Sequence, residues 1–316
     1  MNIKLFDPFF KEKGFLLLDG ALATELQARG NDMDHPLWSA KILLENPNSI
    51  KKLHLDYLEA GADCIITSSY QATFQGLEKE GYSKTQAKNI FDLSVQLALD
   101  ARKEFMVNHP MRPKPLIAAS IGPYGAYLND GSEYQGHYSL SDKDLYEFHK
   151  KRFLTLADSK ADLLAFETIP CLQEAKVYLQ LLRMKPNRKA WMSFSCKDER
   201  HISNGDLIKK AAQFFQNQEA VFALGINCTK PQYILSLISE IKPHFKKEIV
   251  VYPNSGEDWS LIEKKWRLTD QKFNAKEFSE ASRDWLQAGA RLIGGCCRTN
   301  PETIRTILER FKKFPV

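Results

Sequence analysis

The sequence contains no long hydrophobic run, and this absence excludes one broad class of protein. No stretch approaches the roughly 18 consecutive apolar residues that a membrane-spanning helix requires. The N-terminus from Met1 to Pro8 also lacks the apolar segment and small-residue cleavage site of a secretory signal. We therefore expect a cytoplasmic protein with no membrane partner.

Basic runs interleaved with aromatic residues are also missing, although the formal net charge is +5. Lysines and arginines are spread among acids, and the basic patch His149-Lys150-Lys151-Arg152 is interpreted as a solvated helix face. Nucleic acid is therefore not an expected partner. No linker rich in Pro, Gly or Ser divides the chain, so residues 1–316 are expected to form one domain.

Cysteines are few, six in 316 residues, and in a reducing compartment they are expected to be free thiols. Metal binding or catalysis is then a better explanation of a cysteine cluster than a disulfide framework. Two of them are adjacent in Gly294-Gly295-Cys296-Cys297, where an apolar run meets a helix start that Thr299 or Asn300 is predicted to cap. The glycines are expected to permit the backbone bend that brings both thiols to one point, since neighbours on a regular strand face opposite ways.

Short apolar runs alternate with helical patterns along the chain. Continuous apolar runs are typical of strands covered on both faces in a parallel sheet. Eight such units favour an α/β fold with a single (β/α)8 TIM barrel. An open doubly wound sheet would predict a glycine-rich phosphate turn, which residues 19–24 match poorly. The predicted strands are residues 15–20, 63–69, 116–122, 163–167, 190–195, 221–228, 248–254 and a run before Gly294, and the predicted helices are residues 49–60, 84–107, 141–160, 172–182, 205–216, 275–288 and segments opening at Pro231 and Pro301.

Polar side chains end every predicted strand. In a (β/α)8 barrel these ends converge on one mouth, where such folds carry their active sites. The polar loop from Pro123 to Tyr138 follows the third strand, and its length indicates a functional loop. The strand-end residues are Asp19, Ser68, Ser69, Ser120, Glu167, Ser195, Cys196, Asn227, Cys228, Asn254, Cys296 and Cys297.

Thiols from the sixth and eighth strands face this mouth, namely Cys228, Cys296 and Cys297. Three protein ligands with one position left for substrate are typical of catalytic zinc, and thiolates suit zinc as a borderline-soft ion. Cys64 lies in mid-strand and is expected to be a small buried hydrophobic residue. The same interpretation is preferred for Cys171 and Cys196, although Cys196 lies near enough to the mouth to be a rival ligand.

Six segments spread along the chain form a further pattern: residues 19–26 (DGALATEL), 36–40 (PLWSA), 67–72 (TSSYQA), 166–170 (FETIP), 225–228 (GINC) and 294–297 (GGCC). In this order they resemble the homocysteine S-methyltransferases, zinc-dependent enzymes that include betaine–homocysteine methyltransferase and the homocysteine domain of cobalamin-dependent methionine synthase. The resemblance implies the same barrel, a Zn²⁺ cofactor, and homocysteine and a methyl donor as small-molecule substrates.

The resemblance also implies roles for individual residues. Asp19 and Glu167 are expected to bind the ammonium group of homocysteine, although strand-end acids also cap loops or pair with arginines. Asn227 and Asn254 are candidate hydrogen-bond donors to an amino-acid carboxylate, or else they fix their loops. Further candidates for the substrate site are Ser69 and Thr24.

Other segments bear on the methyl donor. Residues 37–40, 131–136 and 252–257 resemble the branch that uses S-methylmethionine or, less closely, S-adenosylmethionine. The betaine branch has a tyrosine where Gln71 aligns, so betaine is a less favoured donor. No cobalamin or folate domain follows, so the methionine synthase reaction would need a separate partner. Candidates on the 123–138 loop to attract a cationic sulfonium are Tyr124, Tyr127, Glu133, Tyr134 and His137.

The resulting hypothesis is that Cys228, Cys296 and Cys297 hold zinc and that homocysteine sulfur takes the fourth position as a thiolate, the nucleophilic form of a thiol. The thiolate would then attack the sulfonium methyl group in line and give methionine. The spacing of His35 and His201 does not favour them as ligands. Two other classes stay open, a cysteine-nucleophile enzyme with a histidine base and a zinc- or thiol-binding barrel without methyl transfer.

Overall fold

The computed structural model describes residues 4–32, 39–260, 265–267, 269 and 272–313. Its strands confirm the predicted positions, and an additional hairpin lies after the seventh barrel strand. The barrel strands and the hairpin are β1 (Leu16–Leu17), β2 (Cys64–Ile66), β3 (Leu116–Ile121), β4 (Leu163–Ile169), β5 (Ala190–Phe194), β6 (Val221–Asn227), β7 (Glu248–Tyr252), β8 (Asp258–Ser260), β9 (Lys265–Arg267) and β10 (Ala290–Ile293).

Eight parallel strands pair in the order β1-β10-β7-β6-β5-β4-β3-β2, and β8 and β9 form the separate antiparallel hairpin. A parallel bridge between Leu18 and Cys64 joins the two ends of this sheet. There Asp19 N donates to Cys64 O at 3.0 Å, and Asp63 N donates to Leu17 O at 2.7 Å. The sheet therefore closes on itself, which confirms the predicted (β/α)8 barrel.

Helices follow the strands and cover the outside of the barrel. Two predicted helices, Leu172–Leu182 and Ala275–Ala288, have the predicted bounds. Two others, Pro47–Ala60 and Lys84–Asn108, differ from the predicted bounds by at most two residues. The helices are α1 (Asp7–Lys13), α2 (Ala23–Ala28), α3 (Ser39–Glu45), α4 (Pro47–Ala60), α5 (Phe74–Lys79), α6 (Lys84–Asn108), α7 (Tyr124–Leu128), α8 (Asp142–Ala157), α9 (Leu172–Leu182), α10 (Ile208–Phe215), α11 (Ile234–Ile241), α12 (Ala275–Ala288) and α13 (Pro301–Lys313), with short 3-10 turns η1 (Ser132–Tyr134) and η2 (Pro231–Tyr233).

The barrel interior is filled by side chains of the inward-facing strand positions, in keeping with this fold. Leu16, Cys64 and Trp191 belong to one buried cluster there, which confirms the expectation for Cys64. The unpredicted helix α1 closes the end opposite the mouth, where the ring of Phe6 lies 4.9 Å from that of Phe222. A larger second cluster lies between the sheet and the helices.

The basic patch on α8 is not a solvated face, which corrects the sequence interpretation. His149 and Arg152 are buried, while Lys150 and Lys151 point outward. Residues three apart share one helix face, and here that face meets the ends of β2 and β3. Arg152 donates to the carbonyl oxygens of Tyr70, Ala72 and Gly122, and His149 Nε2 lies 2.7 Å from Glu174 Oε1. The buried pair therefore anchors two loops of the mouth.

No described helix is both long enough and apolar enough to cross a bilayer. The buried residues of α6, the longest helix, alternate with exposed ones, as expected of a helix that covers a barrel. This finding agrees with the absence of long apolar runs from the sequence.

His54 on α4 makes stability depend on pH. Its side chain is fully buried, neither ring nitrogen has a hydrogen-bond partner among the described residues, and burial lowers its pKa from 6.5 to about 4. The unfolded chain then binds a proton more readily than the folded one. The free energy of unfolding is therefore unaffected by His54 above pH 6.5 and falls as the pH is lowered towards about 4. The total loss from this one residue is about 3 kcal/mol.

We expect a His54→Leu variant to lose about 3 kcal/mol less unfolding free energy than the wild type between neutral pH and about pH 4. Denaturant unfolding followed by circular dichroism across this range measures the difference. His244→Leu, at a partly exposed position, is the matched control and should track the wild type. If the free energy of unfolding falls equally with pH in all three proteins, His54 does not cause the acid sensitivity.

Candidate metal and substrate site

The three predicted thiols meet at the C-terminal mouth of the barrel. Cys228 directly follows β6, and Cys296 and Cys297 follow β10. Their Sγ atoms all lie within 4.8 Å of one another, with 3.5 Å between Cys228 and Cys297. Hydrogen bonds from the Cys296 and Cys297 thiols hold the pKa of Cys228 well below its ordinary value. The cluster therefore favours a thiolate and can bind one thiophilic metal ion.

The other metal-ligand candidates lie elsewhere. The Sγ atom of Cys196 sits 4.0 Å from Phe194 O, outside the three-thiol cluster. His201 Nδ1 lies 2.9 Å from both carboxylate oxygens of Asp198. His35 and residues 36–38 of the segment 36–40 that carries the resemblance lie outside the described residues. Within the described ranges, no second group of three His, Cys, Asp or Glu side chains is placed to hold a metal.

Gly294 and Gly295 let the cysteine turn pass close to its neighbours. A Cβ atom on Gly294 would lie 2.6 Å from Leu18 Cβ, and one on Gly295 would lie 2.3 Å from Thr299 Oγ1. Neither glycine has a positive φ angle, so they permit the turn by their lack of a side chain and not by a left-handed conformation. The left-handed residues are instead Cys228 (φ 47°) and Arg298 (φ 67°).

Backbone hydrogen bonds fix this turn on both sides. Gly295 N donates to Asp19 O at 3.0 Å, and Cys296 N donates to Pro253 O at 2.8 Å. Thr299 Oγ1 donates to Cys296 O at 2.7 Å and so closes the turn. The two thiols are therefore positioned by the ends of β1 and β7.

The residues after the turn anchor it to other loops. Asn300, one of the two predicted caps, accepts a hydrogen bond from Thr303 N at 3.0 Å. Arg298 N donates to Thr24 Oγ1 at 2.8 Å, and Arg298 Nε donates to Glu257 Oε2 at 2.6 Å. Thr24, a candidate for the substrate site, thus holds the backbone just beyond Cys297.

Asn227 connects β4 to the thiols. Its Oδ1 accepts from Thr168 N at 2.7 Å, and its Nδ2 donates to Thr168 Oγ1 at 2.8 Å and lies 3.9 Å from Cys296 Sγ. Thr168 has φ 57°, a costly conformation for a β-branched residue. The buried amide therefore stabilises a strained residue next to Glu167, in keeping with the loop-fixing alternative.

Asp19 and Glu167 lie buried at the mouth. Asp19 Oδ2 accepts from Ile66 N at 2.8 Å, whereas its Oδ1 is buried without a hydrogen-bond partner among the described residues. Glu167 Oε1 accepts from Ser120 Oγ. Burial raises the pKa of Glu167 to about 7, and burial followed by the charge of Glu167 raises that of Asp19. A cation bound beside these acids would lower both pKa values.

Ser69 and Asn254 take part in loop contacts. Ser69 Oγ donates to Ser120 O at 2.8 Å and lies 2.8 Å from Thr67 Oγ1. Asn254 Oδ1 accepts from Gly256 N at 2.9 Å. Both side chains thereby shape the loops that surround the mouth.

The loop from 123 to 138 is folded over the mouth and contains α7 and η1. On η1, Tyr134 Oη lies 3.2 Å from Cys228 Sγ. Glu133 O accepts from Ser195 Oγ at 2.9 Å, and Glu133 Oε2 is buried without a partner among the described residues. Glu133 and Tyr134 belong to the five loop residues predicted to attract a sulfonium, and nothing in the sequence separates them from the other three. By contrast, the rings of Tyr124 and Tyr127 pack on Phe148.

Comparisons with known proteins agree with this arrangement. A family model described as homocysteine S-methyltransferase matches residues 16–311. The chain is 50% identical to homocysteine S-methyltransferase YbgG of Bacillus subtilis over 92% of this chain and 93% of that protein. It is 47% identical to homocysteine S-methyltransferase 2 of Zea mays over 96% and 91% of the two chains. The crystal structure of the metallated homocysteine methyltransferase MmuM from Escherichia coli superposes with a TM-score of 0.87 at 40% identity, covering 97% and 99% of the chains.

Proposed function

The chain belongs to the homocysteine S-methyltransferase family, and from this premise we propose that its three-thiol cluster binds zinc and that its methyl donor is S-methylmethionine. The enzyme transfers a methyl group to the thiol of homocysteine and gives methionine. The assignment of residues 1–316 to one homocysteine-binding barrel domain is part of the proposal. Its main structural support is the convergence of Cys228, Cys296 and Cys297 at the mouth.

The donor set of the cluster fits zinc. Three sulfur atoms at Zn–S bond lengths of about 2.3 Å around a tetrahedral centre lie roughly 3.8 Å apart. The described separations, 3.5 Å for one pair and at most 4.8 Å for all, are close to that geometry. Zinc held by these thiols would supply the Lewis acidity that keeps a substrate thiol deprotonated at neutral pH. Apart from one another, the described side chains that hydrogen-bond the thiols are Tyr134 and Asn227. No described histidine is therefore placed as the base of the alternative nucleophile class.

Asp19 and Glu167 are suited to the ammonium group of homocysteine. Both carboxylates are buried, and Asp19 Oδ1 has no other partner among the described residues. Pairing such a group with a cation offsets its desolvation, which is otherwise unfavourable. An amino acid held there would present its thiol to the cysteine cluster, because the ends of β1, β4, β6 and β10 share one mouth.

The reaction itself needs no covalent enzyme intermediate. A bond forms between the homocysteine sulfur and the methyl carbon while the bond from that carbon to the sulfonium sulfur breaks, and the electron pair stays on the departing sulfur. With S-methylmethionine as donor, both products are methionine. The contribution of the protein is to position both substrates and to exclude water around the reacting atoms. S-adenosylmethionine is the second donor to test, and betaine is the less favoured alternative.

The cysteine assignment predicts a selective loss of metal. Cys297→Ser should retain less than about one tenth of the wild-type zinc affinity, because a thiolate ligand is replaced by a hydroxyl group, which binds zinc poorly. Cys196→Ser removes a thiol near the mouth but outside the cluster and should keep full zinc content. Metal analysis after dialysis against a weak chelator compares the three proteins. Full zinc in Cys297→Ser would reject the ligand set.

The ammonium role predicts a selective effect on homocysteine binding. Glu167→Gln keeps the shape and removes the charge, so the homocysteine KM should rise by about tenfold or more. Asp19→Asn should act in the same direction. Steady-state kinetics at saturating donor measure the change, and zinc content is determined on the same samples. An unaltered homocysteine KM in both variants would contradict the role.

A chelation assay tests the proposed reaction as a whole. The protein incubated with homocysteine and S-methylmethionine should form methionine, and extensive removal of metal should abolish the reaction until zinc is returned. Thiol alkylation without chelation serves as a comparison for a cysteine-nucleophile mechanism. Full activity after the metal has been removed, or zinc binding without methionine formation, would show that the proposal is wrong.

A further inference from the structure

One buried acid at the mouth is left without a role in the proposed function. The Glu133 carboxylate has an oxygen, Oε2, that is buried and has no hydrogen-bond partner among the described residues. Asp19 has a buried oxygen of the same kind and is already assigned to homocysteine, whereas the Glu167 carboxylate accepts from Ser120 Oγ. Burying a carboxylate without a partner is unfavourable, so such a group is suited to a cationic ligand.

Glu133 is placed rigidly by its backbone. Its carbonyl oxygen accepts from Ser195 Oγ at 2.9 Å, which ties η1 to the end of β5. On the other side, a Cβ atom on Gly125 would lie 2.4 Å from Glu133 N, so α7 packs directly against the turn. A residue held on both sides can present its side chain without a large loss of conformational entropy.

The same turn reaches the thiol cluster. Tyr134, the next residue, places its hydroxyl group 3.2 Å from Cys228 Sγ. Burial and then nearby charges, among them that of Glu133, raise the pKa values of Tyr134 and Tyr70, so the carboxylate lies near both side chains. Glu133 and Tyr134 therefore lie where the 123–138 loop meets the cysteine cluster, with Tyr70 close to Glu133.

Resting on the proposed function, we propose that Glu133 together with Tyr70 and Tyr134 forms the site for the sulfonium of the methyl donor. The donor carries a positive sulfur whose methyl group must point at the homocysteine thiol. Aromatic faces and a carboxylate attract such a cation while leaving the methyl carbon free to be attacked. Asp19 and Glu167 serve the ammonium group of homocysteine, so each substrate has its own acidic partner.

A charge-neutral substitution tests this assignment. Glu133→Gln should raise the KM for S-methylmethionine by about 10- to 100-fold, the loss expected for one charged contact, with the homocysteine KM unchanged. Glu133→Asp retains the charge and should give a smaller rise. Asp130→Asn removes an exposed charge from the same loop while keeping the acceptor for Ser132 N, and it should behave as the wild type.

Binding is measured separately from turnover so that the inference and the proposed function can fail independently. Calorimetric titration of the zinc-loaded protein with S-methylmethionine should show weaker binding by Glu133→Gln than by the wild type. If the wild type binds this donor but forms no methionine, the proposed reaction is wrong. The difference in donor affinity between the wild type and Glu133→Gln then still decides whether Glu133 binds the donor.

Three results would overturn the inference: an unchanged donor affinity in folded Glu133→Gln, an equal rise in KM for both substrates, or no donor binding by the wild type. Zinc content and circular dichroism establish that the variant is folded. If Glu133→Gln does not fold, Glu133→Asp takes its place, and a donor-specific rise is again required of it.

Discussion

The site depends on how closely the cysteine turn approaches β1 and β7. The turn can lie there only because Gly294 and Gly295 have no side chains, since a Cβ atom on either would overlap Leu18 or Thr299. Its amides are then bonded to carbonyl oxygens of both neighbours, which fixes where the thiols point. Closure of the barrel between β1 and β2 holds β1 in place, and so the position of the metal ligands is a property of the whole sheet. This explains why adjacent cysteines can act together although neighbouring strand residues normally face opposite ways.

Strain is concentrated around the same site and is offset by buried polar side chains. Thr168, Cys228 and Arg298 adopt left-handed backbone conformations that are unfavourable for residues with side chains. Asn227 bonds both the amide and the hydroxyl group of Thr168, and Thr24 accepts from the amide of Arg298. Such strain persists only where surrounding contacts determine the conformation. Thr24 and Asn227, predicted as substrate-site candidates, thus hold the backbone around the thiols in a fixed geometry.

The sequence predicted the barrel and its thiol cluster because both depend on periodic or local signals. Alternating apolar runs indicate strands and helices, and in a parallel barrel the strand ends must share one mouth. Contacts between distant segments leave no such signal. The burial of His149 and Arg152 depends on which face of α8 meets the neighbouring loops, and the contact of Tyr134 with Cys228 depends on how the 123–138 loop folds. Likewise, the φ angles of Gly294 and Gly295 and the atoms around them cannot be inferred from composition.

Electrostatics at the mouth suits a reaction between a thiolate and a sulfonium. Three carboxyl groups there, Asp19, Glu133 and Glu167, have pKa values raised mainly by burial. Their charged forms are therefore unfavourable until cations arrive, so binding of cationic substrates is linked to ionisation of the acids. The proposed substrates would together bring ammonium groups and one sulfonium, and the proposed position of the attacking sulfur is beside the negatively charged cysteine cluster. Under the proposed function, such a site would favour substrates that carry positive charge, because each cation would offset the burial of an acid.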